Sequence, residues 1–375
     1  MIRHDLPSGT IWEGDWTQAP LKGGYTMAEL DGPYGLSKAE WDKMGIDGLA
    51  DWYAPHLARV TSLMLPSATV YLWNTAEGWA RLDPVMRGLG WTSRALLTWN
   101  KGMGALAGRL DTEKIRCWPD VTEVCGVYQR DAWAIGTSAG QMIGEAAGKD
   151  DRNPTTTFIR EEREAAGMTR KQMAAFFPSK TGGLTGCVTN WEEGYNFPTW
   201  EIFQRLAAAC QQTAPPRERP YMVHPSVWPT GDLRASYDHL RTEYDHLRAE
   251  YEAARCFFRL PVGVTNVWDH PQVSGAERLT GPDGQALHPC QKPLLFAERM
   301  VQASTRPDDR VLVPFGGTCR IATYLERLRR MEPENARYHD SCELNSDGKD
   351  YLSAVLGRMG EDTGKAGQMS LFGAR

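Results

Sequence analysis

The sequence predicts an α/β protein: a mainly parallel sheet covered on both faces, opened in the middle by an all-α insert. Three observations predict it. Short apolar runs alternate with helical periods from Tyr25 to Tyr128. The same character returns from Val262 to Glu343. Between them lie short capped helices and a repeat of period seven.

The chain has 375 residues, enough for two or three domains. A net charge of −5 excludes a generally basic nucleic-acid coat, so any DNA contact must come from a local patch. The 8 cysteines form no C-x-x-C pair, which points away from a zinc site or a disulfide framework and towards a reducing cytoplasm. No metal is expected. No apolar run approaches membrane-spanning length, and residues 1–10 lack the apolar core of a signal peptide.

Ile11 to Asp15 reads as a strand end with an exposed acid. Tyr25 to Leu30 is a short strand running into Asp31-Gly32-Pro33-Tyr34, closed by Gly35. In that loop the acid and a backbone carbonyl can accept both protons of an exocyclic amino group. Pro33 fixes the turn, and Tyr34 offers a flat face to a base. Asp47 to Leu65 reads as a helix ended by Pro66, and Ala68 to Trp73 as a buried strand. A helix over Glu77 to Gly90 follows, then strands over Trp91 to Trp99 and Val121 to Tyr128. Residues 129–154 lose periodicity and read as a loop.

The insert starts near Thr155. Phe158 to Gly167 is a helix with a glycine stop. Thr169 caps the next helix, to Phe177, with Gln172 completing a capping box. Leu184 to Glu192 is a third and Glu201 to Cys210 a fourth. Residues 211–229 are proline-rich and read as a linker. Tyr237, Leu240, Tyr244, Leu247 and Tyr251 then take the a and d places of three heptads, about 30 Å of helix. The helix is either a strut packed on its own protein or a short coiled coil between subunits. Three heptads make a marginal dimer, which favours the strut.

Beyond Val262, His288-Pro289-Cys290-Gln291-Lys292-Pro293 leads into a helix over Leu294 to Ser304. Strand Val311 to Val313, the turn Pro314-Phe315-Gly316-Gly317-Thr318, and a helix over Arg320 to Arg329 follow. That geometry brings backbone N–H groups against a ligand. Tyr338 to Glu343 is a strand with an acid at its end, placed for ribose hydroxyls.

The Asp31 to Tyr34 loop resembles the catalytic loop of DNA amino-methyltransferases. Arg163, Gly167 to Thr169, Met173-Ala174, Val188, Trp191-Glu192, Gly194, Pro198 and Leu206 resemble a repressor-type helix-turn-helix, with Pro178 to Gly183 lengthening its middle turn. The order of the pieces is similar to the permuted β-class of S-adenosylmethionine-dependent DNA amino-methyltransferases, over residues 10–130 and 262–352.

The resemblance implies a doubly wound, mostly parallel, Rossmann-like methyltransferase sheet. Its parts are a catalytic half over 1–150, the helix-turn-helix over 155–212, the heptad helix over 231–257, a cofactor half over 262–355 and a flexible tail over 356–375. It implies that Asp31, Gly32, Pro33 and Tyr34 perform transfer. It gives Asp15, His288, Pro289, Gln291, Lys292, Pro293, Phe315, Gly316, Gly317, Thr318 and Glu343 to S-adenosylmethionine. Thr185, Thr189 and Asn190 are candidate DNA contacts.

The implied reaction is methylation of a flipped base in double-stranded DNA, at adenine N6 or cytosine N4, as in restriction-modification. Asp at the first loop position leans towards adenine. A cytosine-C5 enzyme shares Pro289-Cys290-Gln291 but has the opposite order of motifs. Two departures from the family stand out: Gly32 replaces a second proline, and Val313 stands where an acid is usual. They leave open a non-catalytic DNA-binding regulator. The tail ends in Gln368-Met369-Ser370-Leu371-Phe372, which resembles a peptide that docks on the replication sliding clamp. A monomer or a homodimer fits.

Overall fold

The computed structural model describes residues 1–37, 42–106, 114, 116–130, 154–179, 182–194, 196–281, 284–288, 290–344 and 351–361. Pro289, the tail from 362 and nearly all of the loop read over 129–154 lie outside them. The described chain divides into two units, Met1–Asp131 with Cys256–Arg375, and Ala132–Arg255.

The first unit is built on nine strands among the described residues: β1 (Ile2–Leu6), β2 (Gly9–Glu13), β3 (Tyr25–Leu30), β4 (Met64–Asn74), β5 (Thr92–Asn100), β6 (Thr122–Gln129), β7 (Val267–Asp269), β8 (Arg310–Val313) and β9 (Tyr338–Glu343). Their order across the sheet is β1-β2-β9-β8-β3-β4-β6-β5-β7. β2, β9, β8, β3 and β4 run parallel, β6 is antiparallel to both neighbours, and β7 is parallel to β5.

Side-chain alternation splits the core between the two faces of the sheet. On β4, Ala68, Val70 and Leu72 join helices α1 (Gly45–Leu63) and α2 (Ala76–Gly88). Tyr71 and Trp73 point the other way, onto α8 (Leu294–Ser304) and α9 (Arg320–Met331). From β3 the chain crosses by α1 to β4, and from β8 it crosses by α9 to β9 on the other side. The fold is therefore doubly wound, with its topological switch between β3 and β8. A ligand crevice belongs outside the carboxyl ends of those two strands.

Several features of this unit differ from the sequence reading. The amino terminus forms the hairpin β1–β2, whose outer strand closes the sheet edge. Pro66 lies inside β4, because α1 ends at Leu63 and β4 pairing starts at once. The segment read as tail from 356 is helix α10 (Tyr351–Glu361): Leu352, Val355 and Met359 are buried against Ile11, Cys319 and Ala322, so apolar contact holds the chain there.

Among its described residues the second unit is all-α: α3 (Pro154–Ala165), α4 (Arg170–Ala174), α5 (Cys187–Glu192), α6 (Trp200–Thr213) and α7 (Leu233–Ala254). The Thr169–Gln172 capping box is present. α5 starts at Cys187 instead of Leu184, since Thr185 is held outside it by a bond from its hydroxyl to the Phe177 carbonyl, 3.0 Å. Arg163 on α3 reaches the buried Glu192 carboxylate at 2.6 Å, and Arg170 reaches its other oxygen at 2.6 Å. The first half of the heptad seam packs within this unit: Leu240 is fully buried, and Tyr237 and Tyr244 lie against Phe197.

Candidate active site

Ala28 pairs with Leu312, so the residues leaving β3 and β8 emerge side by side. They border one cleft of about 370 Å³, lined by Gly14, Asp15, Trp16, Asp31, Gly32, Pro33, Trp52, His56, His288, Pro314, Phe315, Gly317, Glu343 and Leu344. Segments far apart in sequence thus share one pocket, of a size usual for small-molecule sites, about 300–1,000 Å³.

The loop after β3 is tightly held. Asp42, itself buried, accepts hydrogen bonds from the backbone N–H of Tyr34 (2.7 Å), Gly35 (2.6 Å) and Leu36 (3.1 Å). The Asn74 amide donates to the Pro33 carbonyl at 3.4 Å. Gly32 is packed so closely that a Cβ there would lie 2.6 Å from the Tyr53 hydroxyl and 2.9 Å from Phe315. The expected looseness of a Gly-Pro loop is absent, because neighbours supply the rigidity that a second proline ring would give.

Behind the loop stands an alternating row of charges. Lys292 Nζ lies 2.7 Å and 2.9 Å from the two Asp31 oxygens and 3.0 Å from Glu123 Oε2. Lys101 Nζ lies 2.5 Å from Glu123 Oε1. The Tyr34 hydroxyl donates to Asp31 at 2.8 Å and accepts from Lys292 at 3.0 Å. Burial alone would push Lys292 down, but Asp31 and Glu123 outweigh it and hold it above the ordinary lysine range. Burial pushes Glu123 up, and Lys292 and Lys101 bring it down to about 2. Glu29, two residues before Asp31, is pushed up to about 8 by burial and then by the Asp31 charge.

On the cofactor side, Gly316 N–H bonds the Cys342 carbonyl at 2.6 Å, which ties the glycine turn to β9. Gly317 has φ +50, a left-handed conformation suited to glycine, and its N–H donates to Glu343. Asp15 caps the turn Trp16–Gln18 by accepting from Thr17 N–H at 2.9 Å. Trp16, Trp52, His56 and Phe315 form an aromatic wall: the Trp52 and His56 rings are 4.3 Å apart, and Trp52 and Phe315 5.7 Å. Burial lowers His56, and its Nδ1 accepts from the Trp16 indole at 3.0 Å.

Of the residues expected at the site, Asp15, Asp31, Gly32, Pro33, His288, Phe315, Gly317 and Glu343 border the cleft. Five expected cofactor contacts are placed elsewhere. The Gln291 amide is spent on Leu279 N–H (2.9 Å) and the Glu277 carbonyl (2.8 Å). Lys292 serves Asp31, Pro293 caps α8, and Thr318 is buried at the start of the α9 turn. Gly316 packs against Cys342 and Cys319, and Tyr34 turns its hydroxyl into the charged row.

Sequence reasoning missed Trp16, Trp52, His56, Asp42, Glu123 and Lys101. For Glu123 a signal existed: alternation puts it on the same strand face as Cys125 and Val127, where a carboxylate is out of place. Trp52 and His56 share the i, i+4 spacing of a helix face, which reads equally as core.

The cleft suits S-adenosylmethionine. The Asp15 and Glu343 carboxylates and the electron-rich ring faces favour a sulfonium and an ammonium.

The sequence profile of the N6/N4 family described as DNA methylase matches residues 25–332. Among solved structures, the M1.HpyAVI–SAM complex is 12% identical, over 92% of this chain and 98% of that one, with a TM-score of 0.44. PvuII DNA methyltransferase (cytosine-N4-specific) is 12% identical, over 94% and 86%, at 0.44. TTHA0409 of Thermus thermophilus, complexed with S-adenosyl-L-methionine, is 13% identical, over 96% and 97%, at 0.39. Likeness at this level carries nothing about the target base. The match over most of its length settles the family: the chain belongs to the S-adenosylmethionine-dependent DNA methyltransferases of the N6/N4 type.

Proposed function

We propose that this chain methylates the exocyclic amino group of a base flipped out of duplex DNA, at adenine N6 in preference to cytosine N4. The meeting of Asp31, Gly32 and Pro33 with Phe315, Gly317 and Glu343 on one cleft carries this reading. Asp at the head of the loop is the feature that favours adenine.

An exocyclic amine is a poor nucleophile, because its lone pair is delocalised into the ring. Asp31 and the Gly32 carbonyl accept its two protons and favour a pyramidal nitrogen with the lone pair freed. Pro33, Asp42 and Asn74 hold those acceptors in place, so proximity supplies much of the rate. Tyr34 is half-buried with its hydroxyl anchored inward, and in this reading its ring is the stacking surface for the base. Trp16, Trp52, His56, Phe315, Gly317, Asp15 and Glu343 hold S-adenosylmethionine, which when bound supplies an activated methyl group on a sulfonium.

In this reading the all-α unit contacts DNA. Thr189 is half-buried and Asn190 exposed on α5, so both can meet a base edge or phosphate. Thr185 is committed to Phe177 and acts in the turn. The peptide with Gln368, Leu371 and Phe372 is proposed to dock on a sliding clamp. A clamp pull-down that is unchanged by Leu371→Ala/Phe372→Ala would end that idea.

The test is modification-sensitive sequencing of DNA from cells expressing the wild type or Asp31→Ala. N6-methyladenine at one sequence motif, absent in the variant, is the expected result. N4-methylcytosine would overturn the choice of base. Unmodified DNA from a wild type that binds DNA but not labelled S-adenosylmethionine would favour a regulator.

A further inference from the structure

We propose that Glu123 is a positioning residue that receives the Lys292 ammonium when Asp31 turns to the target amine. The proposal rests on the reading of Asp31 as acceptor of the amine protons.

Two demands on Asp31 conflict. Both Asp31 oxygens lie within 2.9 Å of Lys292 Nζ. With the Tyr34 hydroxyl also on Oδ1, about three of the carboxylate's four lone-pair sites are taken before the target amine arrives. Yet the ammonium cannot be abandoned, because its side chain is only 6% exposed. Stripping a buried ion of its only partner is strongly destabilising. A second counterion within reach removes the conflict, and Glu123 is that group. Its Oε2 is 3.0 Å from Lys292 Nζ, and its Oε1 is fixed by Lys101 at 2.5 Å.

The positions fit a hand-over. Asp31 borders the cleft with its side chain 20% exposed, whereas Glu123 is at 11% and does not border it. The Tyr34 hydroxyl bridges both carboxylates, 2.8 Å from Asp31 and 3.2 Å from Glu123, and itself accepts from Lys292 at 3.0 Å, so it links the two positions of the ammonium. Lys101, Glu123, Lys292 and Asp31 carry two charges of each sign. The shift moves the ammonium between anions already paired and creates no net buried charge.

The experiment measures single-turnover methyl transfer to unmethylated DNA, with the KM for S-adenosylmethionine and the cofactor-induced rise in Tm followed in parallel. Asp31→Asn tests the underlying reading, and a wild-type rate there would sink that reading. With Asp31→Asn inactive, Glu123→Gln is expected to slow transfer by about tenfold or more, with KM and the Tm rise near wild type. In Glu123→Gln/Lys292→Met the clinging ammonium is gone, and transfer should recover to several times the rate of Glu123→Gln. Glu123→Gln at the wild-type rate, or a double variant no faster than the single one, overturns the proposal. If Glu123→Gln lacks the cofactor-induced Tm rise, Lys101→Met takes its place. It releases the anchor of Glu123 while keeping every group on Asp31, and a wild-type rate in that variant overturns the proposal equally.

Discussion

Gly32 shows how a residue's meaning depends on its neighbours. Read along the chain, it softens a loop that needs stiffness. In the fold it lies where any side chain would strike the Tyr53 hydroxyl and Phe315. Gly32→Ala should therefore destabilise the protein by about 1–3 kcal/mol by overpacking. Tyr53→Phe in the same chain should return part of that loss, because it removes the atom at 2.6 Å. Denaturant unfolding of the three variants checks this, and equal stability of Gly32→Ala and wild type would refute it.

Glu29 gives a prediction in pH. Its carboxyl is pushed up to about 8 by burial, so the folded state holds a proton that the unfolded chain releases near pH 4.5. The stability tied to that proton is present below 4.5 and is lost as pH rises through 8. Asp31 and Lys292 face it, the first reinforcing and the second opposing the rise. Glu29→Gln is neutral at all pH, so its Tm should fall less than that of wild type between pH 5 and pH 8. Parallel slopes in a thermal titration would refute the buried-acid account.

At the scale of elements, α1 serves two surfaces. Leu49, Tyr53, Leu57 and Val60 face the core, while Trp52 and His56 form part of the cleft wall. Trp52→Ala removes a ring packed on His56 and Phe315. It should weaken S-adenosylmethionine binding by about tenfold, a loss of about 1.4 kcal/mol, while the fold is retained. Isothermal titration would show it, and unchanged affinity would remove Trp52 from the site. Most strands and helices of the sheet were legible from period and glycine stops. The hairpin strand β1 was not, since Ile2-Arg3-His4-Asp5-Leu6 carries three polar side chains in five. Helix α10 was missed because its three apolar contacts acquire a partner only when β2 and α9 are in place.

At the scale of the whole molecule, the sheet order joins the two halves of the site. β3 and β8 are neighbours only because the chain leaves β3 by α1 and β8 by α9, on opposite faces. A ligand on that seam touches both halves and should stabilise them together. S-adenosylmethionine at 100 times its Kd is expected to add about 2.7 kcal/mol of stability. Asp31→Ala should keep this gain. Gly317→Val should lose it, because a β-branched residue resists φ +50. A thermal shift in Gly317→Val equal to wild type would move the cofactor site elsewhere.

The sequence by itself determined the α/β class, the strand and turn positions around Asp31 and Gly317, and the presence of an all-α insert, because periodicity, caps and glycine turns are local properties of a chain. Only the tertiary structure decided that Lys292 answers to Asp31, that Gln291 holds a backbone segment instead of a ligand, and that Trp52 and His56 line the cleft. Those assignments depend on which groups meet across crossovers of many residues. A side chain's charge and shape name its possible partners, but the sheet order chooses among them.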